Sequence, residues 1–578
     1  MPVTNFKKLQ EKLFINHQKD RKKKRDGSEF PVSQTKKKLQ ARICLLLVEL
    51  CERFTFFAIV CNMIIFCTVK LGYHNYQAVI VNLSFIGTSM LTPVFVGWLA
   101  DTCLERTRLV YVCSFLHFVG TAMLPVVAFP SEDFYVDSHY VIHGLPKKEQ
   151  NILFYLGLLA TCLGTGGIRT IVCPLSSYRL QEYGPKKLMS FFTWCNWLMN
   201  LNAVIAFLGI CYIQQSVARN FVFLIPFMSM LMALITIHMV HSELIYQPEK
   251  GGSLLTIWGV FFNALKMCCL KHNHLGPNVP SWLDRAKENN GGWYSELQVE
   301  NTKSFFRLFP LFVFQLLYRV CIMQIPSGYY LQTMNSNLNL NGFLLPIAAM
   351  NVISIIPLLI LAPFLECISC CLFPLKRGGP PLSICIIAGN LSAALSVMGA
   401  GFFEIHRKNF PLVEQILSGK IVPVSAMCCL QLAPQYILLG VAEALVNPAS
   451  SAISYKLLPS KVRGISMNFL ALFNGFGCFV GALMVKVVYT TSEGNWFPNA
   501  LNKGNLENTF FFLASLMLLN ILGFWSISHR YHNLDQFHSQ RIRRHHLEET
   551  LLQNDQYLKY YDSIMEFSST IDPYETTL

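Results

Sequence analysis

Charge is what this chain has least of. Asp, Glu, Lys and Arg together make up 14% of its 578 residues, against about 25% in an ordinary soluble domain. So few charges cannot cover the surface of a water-soluble fold of this length. Acids are scarcer still, 33 against 47 bases, and the formal charge of +14 keeps nucleic acid in view as a partner until the bases are located. A nucleotide-binding glycine loop is missing, as is a nucleophile with its base, so no enzyme is expected. The paired CxxC spacings of a four-ligand metal site are also missing, and neither metal nor cofactor is expected. The 20 cysteines lie mostly inside apolar blocks, which excludes a disulfide framework of the secreted kind. No small-residue cleavage site accompanies the first apolar block, so that block reads as a retained span.

What is present instead is apolar sequence, 53% of all residues, in long blocks. An all-α, multi-pass membrane protein follows. Blocks suited to about 20 residues per crossing run from Ile43 to Val69, Ala78 to Ala100, Leu109 to Phe129, Ile152 to Cys173, Phe191 to Ile213 and Phe221 to Met239. A second set runs from Leu308 to Met323, Phe343 to Leu365, Leu382 to Phe403, Met427 to Leu445, Ile465 to Val488 and Thr509 to Ile527, giving twelve transmembrane helices. The chain divides into a basic segment (1–41), a six-helix bundle (42–241), a linker (242–304), a second six-helix bundle (305–529) and a polar tail (530–578).

The bases have a side. Lys7 to Lys38, Arg106 and Arg108, Lys186 and Lys187, Lys376 and Arg377, and Lys461 and Arg463 all fall on the side of the N-terminus. Short basic loops mark the cytosolic face, so both termini are expected in the cytosol and the positive charge faces lipid headgroups, not nucleic acid. Lys7 to Lys38 is expected to be largely irregular. Arg407 and Lys408 are the exception, on the opposite side. The sequons at Asn82 and Asn390 fall inside spans, where no glycan can be added. Within the linker, Leu254, Ile257, Phe261, Ala264, Leu265 and Cys268 form a helical stripe, expected to lie on the cytosolic leaflet. The chain ends in Thr576-Thr577-Leu578, a sequence able to add a strand to a PDZ-type groove.

Inside the first block stand Glu49, Glu52 and Arg53. At i, i+3 and i+4 they share one helix face and can pair. Charges at membrane depth are costly unless paired or functional, so this face should look into protein. A structural ion pair is one reading, and a carboxylate that takes up and releases a proton is the other. Glu443 poses the same choice, and Asn200 and Asn351 can bond a substrate amide or a neighbouring helix.

Gly97-Trp98-Leu99-Ala100-Asp101, with Arg106 and Arg108, resembles the loop signature of the major facilitator superfamily. Glu49-x-x-Glu52-Arg53-Phe54-x-Phe56-Phe57 is similar to the ExxERFxYY motif of the proton-coupled oligopeptide transporter family, with Phe in place of both Tyr. Gly164-Thr165-Gly166-Gly167-Ile168-Arg169, Phe191-Phe192 with Asn200, Leu283-Asp284-Arg285-Ala286, Val299-Glu300-x-x-Lys303, Tyr330-Leu331-Gln332, Asn351, Ala442-Glu443 and Tyr455-x-x-x-Pro459-x-x-x-Arg463 continue the likeness, in order, from about Arg42 to His529.

The resemblance implies the major facilitator fold, alternating access between two six-helix bundles, and symport of small peptides or carboxylate-bearing solutes with protons as the coupling ion. Proton coupling would fall to Glu49, Glu52 and Arg53. Substrate contacts would fall to Arg53, Phe56, Phe57, Arg169, Asn200, Gln332, Asn351 and Glu443. Four further positions depart from the family. Val60 stands where its peptide transporters carry Arg, Ala452 where they carry the Glu that holds a peptide's amino terminus, Arg169 where they carry Lys, and Leu83 where the animal members carry His. Val60 and Ala452 favour a rival reading, a non-transporting membrane receptor or scaffold that keeps the fold. The intact Glu49-Glu52-Arg53 set opposes it. The plasma membrane and an endolysosomal membrane both suit such a chain.

Overall fold

The computed structural model describes residues 32–102, 106–128, 146–181, 197–210, 212–213, 223–239, 254–270, 281–371, 382–417, 420–457 and 460–528. Phe191, Phe192, the basic segment before Val32 and the C-terminal tail lie outside the described residues.

Six helices build the first half: α1 (Val32–Ile65), α2 (Asn75–Thr102), α3 (Arg106–Ala128), α4 (Lys147–Gln181), α5 (Trp197–Gly209) and α6 (Leu224–Met239). The linker carries α7 (Leu254–Leu270) and α8 (Glu296–Phe306). The second half holds α9 (Phe309–Ile322), continued by the short α10 (Gly328–Met334), then α11 (Ala349–Cys371), α12 (Leu382–Lys408), α13 (Ala433–Leu457), α14 (Ser460–Thr491) and α15 (Leu506–Ser528). By length and apolarity alone, eight helical stretches among the described residues can cross a membrane. Helices α5, α6 and α11 are apolar but shorter, and α1 falls short because Glu49, Glu52 and Arg53 interrupt it. Helix α7 is likewise apolar and short.

Within the first half α1 packs on α4 and α6, and α3 on α4 and α6; within the second, α13 packs on α11, α12 and α14. Glycines make the α4 contacts close. A Cβ at Gly164 would overlap His117 of α3, at Gly166 it would overlap Thr92 of α2, and at Gly167 Cys113 of α3. The GTGG run is therefore a packing ridge that brings α4 against two neighbours at once.

Two helix pairs join the halves, α2 with α14 and α5 with α11. The face of the molecule that carries the α12–α13 connection, opposite the linker, is also clasped. There Asn75 Nδ2 donates to the carbonyls of Pro498 (3.1 Å) and Asn499 (2.9 Å), and Tyr76 stacks on Tyr489 at 3.7 Å between ring centroids. Asn82 is fully buried and donates to Pro326 O at 2.9 Å, so that sequon is a packing residue.

Four expectations need correction. Helix α11 begins at Ala349 and not at Phe343, because Asn341 and Gly342 take positive φ values of 51° and 89° and turn Asn339–Leu340 back on Phe343–Leu344. Asn-Gly is the preferred two-residue hairpin turn. Before α13, β-strands Leu412–Leu417 and Lys420–Cys428 form an antiparallel hairpin, whose second strand also pairs with Ser336–Asn337. Met427 therefore belongs to a strand and not to the tenth span. In α7, Ile257, Val260 and Ala264 are buried and turned toward protein, the latter two packed on Leu283, Ala286 and Val299, while Trp258, Phe262 and Leu265 form the exposed apolar face. The stripe seen in sequence thus mixes a protein-facing and an outward-facing side. Val32–Lys38 is helical, continuing α1 beyond its apolar part; Lys and Gln there are good helix formers.

Linker residues 281–306 are held by a buried carboxylate. Asp284 pairs with Lys303 at 2.5 Å and with Lys287 at 3.0 Å. Burial pushes its carboxyl up, and the two ammonium groups outweigh burial and hold it below its ordinary value of 3.8. A depressed carboxyl stabilises the fold above its unfolded pKa, and that contribution is lost as pH falls through the folded value. The linker should therefore become protease-sensitive only below about pH 4, and Asp284→Asn should make it sensitive at pH 7. Limited proteolysis with band mapping checks both.

Candidate functional site

Helix α1 presents Glu52, Arg53, Phe56 and Phe57 on successive turns, and α4 brings Arg169 to them. Glu52 has no exposed surface. Arg169 Nε donates to both its carboxylate oxygens, at 3.0 and 3.2 Å, and Nη2 lies 3.0 Å from Oε1. Arg53 stands farther off, with Nε 3.7 Å from Glu52 Oε2. The reason is geometric: neighbours in sequence do not face one another on a helix, whereas Arg169 approaches from across the α1–α4 contact. The expected partner Arg53 is thus the looser one. Glu49 feels Arg53, Glu52 and Arg169 electrostatically but makes no ion pair among the described residues.

Arg53 Nε and Arg169 Nη2 are buried and reach Glu52 as ion pairs, at 3.7 and 3.0 Å, without hydrogen-bond geometry. Their arrangement leaves capacity for another anion. Phe56 lies under Arg169, 4.7 Å from ring centroid to guanidinium carbon, and stacks on Phe85. Phe57 meets Phe207 of α5 and packs beside Val352 of α11, placing it on the seam between halves. Asn202 of α5 donates to Leu50 O at 2.9 Å and so ties α5 to the same turn of α1. Asn200, half-buried two residues earlier, is itself engaged in a contact. Asn351 is buried in the first turn of α11, with Oδ1 lacking a donor.

On the other half, Glu443 accepts from Asn447 at 3.2 Å and interacts electrostatically with Arg319. Arg319, on α9, is 8% exposed and extends to α2, where Nη2 lies 3.5 Å from Met90 Sδ. Gln332 is placed elsewhere. Its amide nitrogen donates to Glu404 Oε2 and Ala400 O, both at 3.0 Å, and its oxygen accepts from Gln435 at 3.0 Å. It belongs to a buried network around the Glu404–Arg407 pair, apart from Glu52 and Arg169. Val60 packs against the apolar core, Leu83 is buried beside Gly481 of α14, and the side chain of Ala452 lies outside the described residues.

Three buried charged or titratable residues escaped the motif reading: Arg319, Glu404 and His117. His117 of α3 is fully buried, with Nδ1 3.5 Å from Thr165 Oγ1 and Nε2 unpartnered. Both Glu52 and Arg169 act on its ring electrostatically. The argument from charge at membrane depth, applied to Leu109–Phe129, Leu308–Met323 and Leu382–Phe403, would have found all three near those blocks. No group of three metal-ligating side chains forms among the described residues.

Comparison with known proteins places this geometry. A sequence model of the POT family matches residues 107–500. The chain is 66% identical over 579 aligned residues to solute carrier family 15 member 5 of Homo sapiens, covering 100% of each. It is 24% identical over 540 residues to protein NRT1/PTR FAMILY 5.15 of Arabidopsis thaliana, covering 85% of this chain and 92% of that one. Among solved structures, an auto-inhibited POT family peptide transporter superposes with a TM-score of 0.65 at 18% identity, over 85% of this chain and 97% of the other. A POT family transporter in complex with 5-aminolevulinic acid gives 0.61 at 14%, over 85% and 96%. At those identities the structural likeness establishes the fold.

Proposed function

The chain belongs to the POT family, a family of transporters and not of enzymes, and we propose that it is a proton-coupled symporter of small peptide-like or carboxylate-bearing solutes. One observation carries the proposal: Glu52, without exposed surface, is held between Arg169 and Arg53 and is the acid with which both guanidinium groups form ion pairs. A carboxylate in that position exchanges one of two things for its charge, a proton or a rearranged partner. Protonation of Glu52 removes the anion between the two guanidinium groups. Both then present donors to a substrate carboxylate, which an Arg fork grips in bidentate fashion. Arg169 keeps its own charge throughout, since a guanidinium does not deprotonate in proteins. Glu49 is the second proton acceptor of the set.

In this reading Phe56 and Phe57 wall the site, and Asn200 and Asn351 bond the substrate's amide. Gln332 supports the second half from its own network and does not touch substrate. Alternating access opens and closes the α2–α14 and α5–α11 contacts, with both termini in the cytosol. Of the relatives with the same fold, one is crystallised with 5-aminolevulinic acid, in keeping with a carboxylate-bearing solute. The Glu52, Arg53 and Arg169 charges oppose a scaffold, which has little need to hold charge at membrane depth.

The test is uptake into liposomes carrying the purified protein, with an inward proton gradient and a panel of small peptides and organic acids. For any compound taken up, amidating its carboxylate should weaken competition by at least about tenfold, the worth of one charge-assisted contact. Acetylating its amine should change competition only slightly. The reverse pattern would move recognition to Glu443, a buried acid of the second half. Tags at both termini and near Asn289 should be accessible only after permeabilising intact cells; opposite exposure of Asn289 and the C-terminus would make α7 a crossing.

A further inference from the structure

Away from the charged site, an open groove of about 650 Å³ runs along the outside of the α2–α14 contact, in the half of the molecule clasped by Asn75. Its floor is α2, at Tyr76 and Ile80. Tyr155 of α4 forms one wall, and Leu483 and Lys486 of α14 the other. The groove therefore bridges the two halves of the transporter. Its walls continue into surface that faces lipid: Tyr155 is 45% exposed and Leu483 63%, and their neighbours Ile152, Leu156 and Val487 are large exposed apolar side chains. Leu483 lies about 12 Å below the end of α14, at 1.5 Å per residue, so the opening meets acyl chains.

The rim is polar. Tyr155 donates its hydroxyl proton to the Tyr73 hydroxyl at 3.3 Å. Lys486 Nζ lies 5.2 Å from the centroid of the Tyr76 ring, and no acid pairs with it among the described residues. A cation over an apolar floor, at the boundary between acyl chains and headgroups, matches an amphiphile whose head carries an anionic phosphate. Water-soluble anions would find an apolar trough beneath the single charge. A neutral lipid would leave the lysine unmatched.

We propose that this groove binds an anionic phospholipid, with its phosphate against Lys486 and the tyrosine hydroxyls and an acyl chain along Ile80 and Leu483. A lipid seated there touches α2 and α4 from one half and α14 from the other. It stabilises the state in which α2 and α14 are in contact, and it must leave or slide when they part.

Native mass spectrometry of the purified full-length protein tests this, with phosphatidylglycerol as the probe. Diacylglycerol of the same chains and glycerol phosphate serve as the uncharged and the chainless controls. One phosphatidylglycerol should be retained more tightly than either control. Lys486→Met should weaken its binding by about fivefold, the worth of one cation near a lipid phosphate, and Lys486→Arg should preserve it. Leu483→Trp, which fills the groove without touching charge, should also displace the lipid. Unchanged retention by Lys486→Met, or equal retention of diacylglycerol, would overturn the assignment. Glycerol phosphate binding as tightly as the lipid would overturn it too, in favour of a soluble anion. Because Lys486 is exposed, loss of fold is not expected, and Lys486→Arg serves as the folded reference if it occurs.

Discussion

Glu52→Gln is expected to abolish accumulation driven by a pH gradient while leaving exchange of substrate across the membrane in place. The amide keeps the size of the acid and can still accept from Arg169 Nε, now 3.0 Å from Oε1, so packing is little changed. What it loses is the ability to alternate between charged and neutral forms. A gradient of one pH unit stores about 1.4 kcal/mol per proton, so removing one coupled proton should lower the accumulation ratio by about tenfold per unit of gradient. Exchange needs no net proton movement and reports that the site still binds and turns over. The measurement is paired uptake and counterflow in liposomes, with any substrate the uptake panel yields. Undiminished accumulation by this variant would remove Glu52 from the coupling step and pass the role to Glu49. His117, which faces the same pair from α3, should show its influence in the pH dependence of uptake: His117→Gln should alter the profile, not the affinity at a fixed acidic pH.

Glu404→Ala should cost the most stability of any single change away from the transport site. Glu404 and Arg407 are both without exposed surface, joined by contacts of 2.7 and 3.0 Å. Removing the acid leaves a guanidinium buried without its counter-charge, a loss of about 3–5 kcal/mol. Gln332 would also lose an acceptor, Glu404 Oε2, and keep only Ala400 O on α12. Thermal unfolding in detergent reads the effect directly. A replacement of both partners, Glu404→Met with Arg407→Met, should recover most of the loss, because a matched apolar pair leaves no orphaned charge. Equal destabilisation by the single and double variants would mean that packing, and not charge, holds this end of α12.

The helices and the α1 charges were legible because both depend on local pattern. Apolar length set the spans, and i, i+3, i+4 spacing put Glu49, Glu52 and Arg53 on one face. The pairing was not legible. Arg169 reaches Glu52 through a contact whose closeness depends on glycines packing against Thr92, Cys113 and His117, none of which belongs to the sequence motif. Gln332 was misplaced for a similar reason: its neighbours in sequence resemble a binding motif, while its partners, Glu404 and Gln435, are far away in the chain. The hairpin from Leu412 to Cys428 was hidden inside a connection that apolar counting treats as featureless, although Ile421, Val422 and Val424 favour strand. Asn341-Gly342 was a readable turn that the count of apolar residues overrode.

Arg407 and Lys408, the exception to the charge bias of the loops, have a history that the finished fold conceals. Arg407 finds Glu404 within its own helix, but its Nη1 also donates to Asn502 at 2.7 Å, and Lys408 pairs with Glu507 at 2.6 Å. Those partners are synthesised 95 and 99 residues later. In the proposed topology, with both termini in the cytosol, the end of α12 carries a lysine whose partner is not yet made while the ribosome is still making α13 and α14, on the side from which positive charge is normally held back. A nascent chain halted before Asn502 should hold α12 in mixed orientations, and one extended past Glu507 should hold it in one.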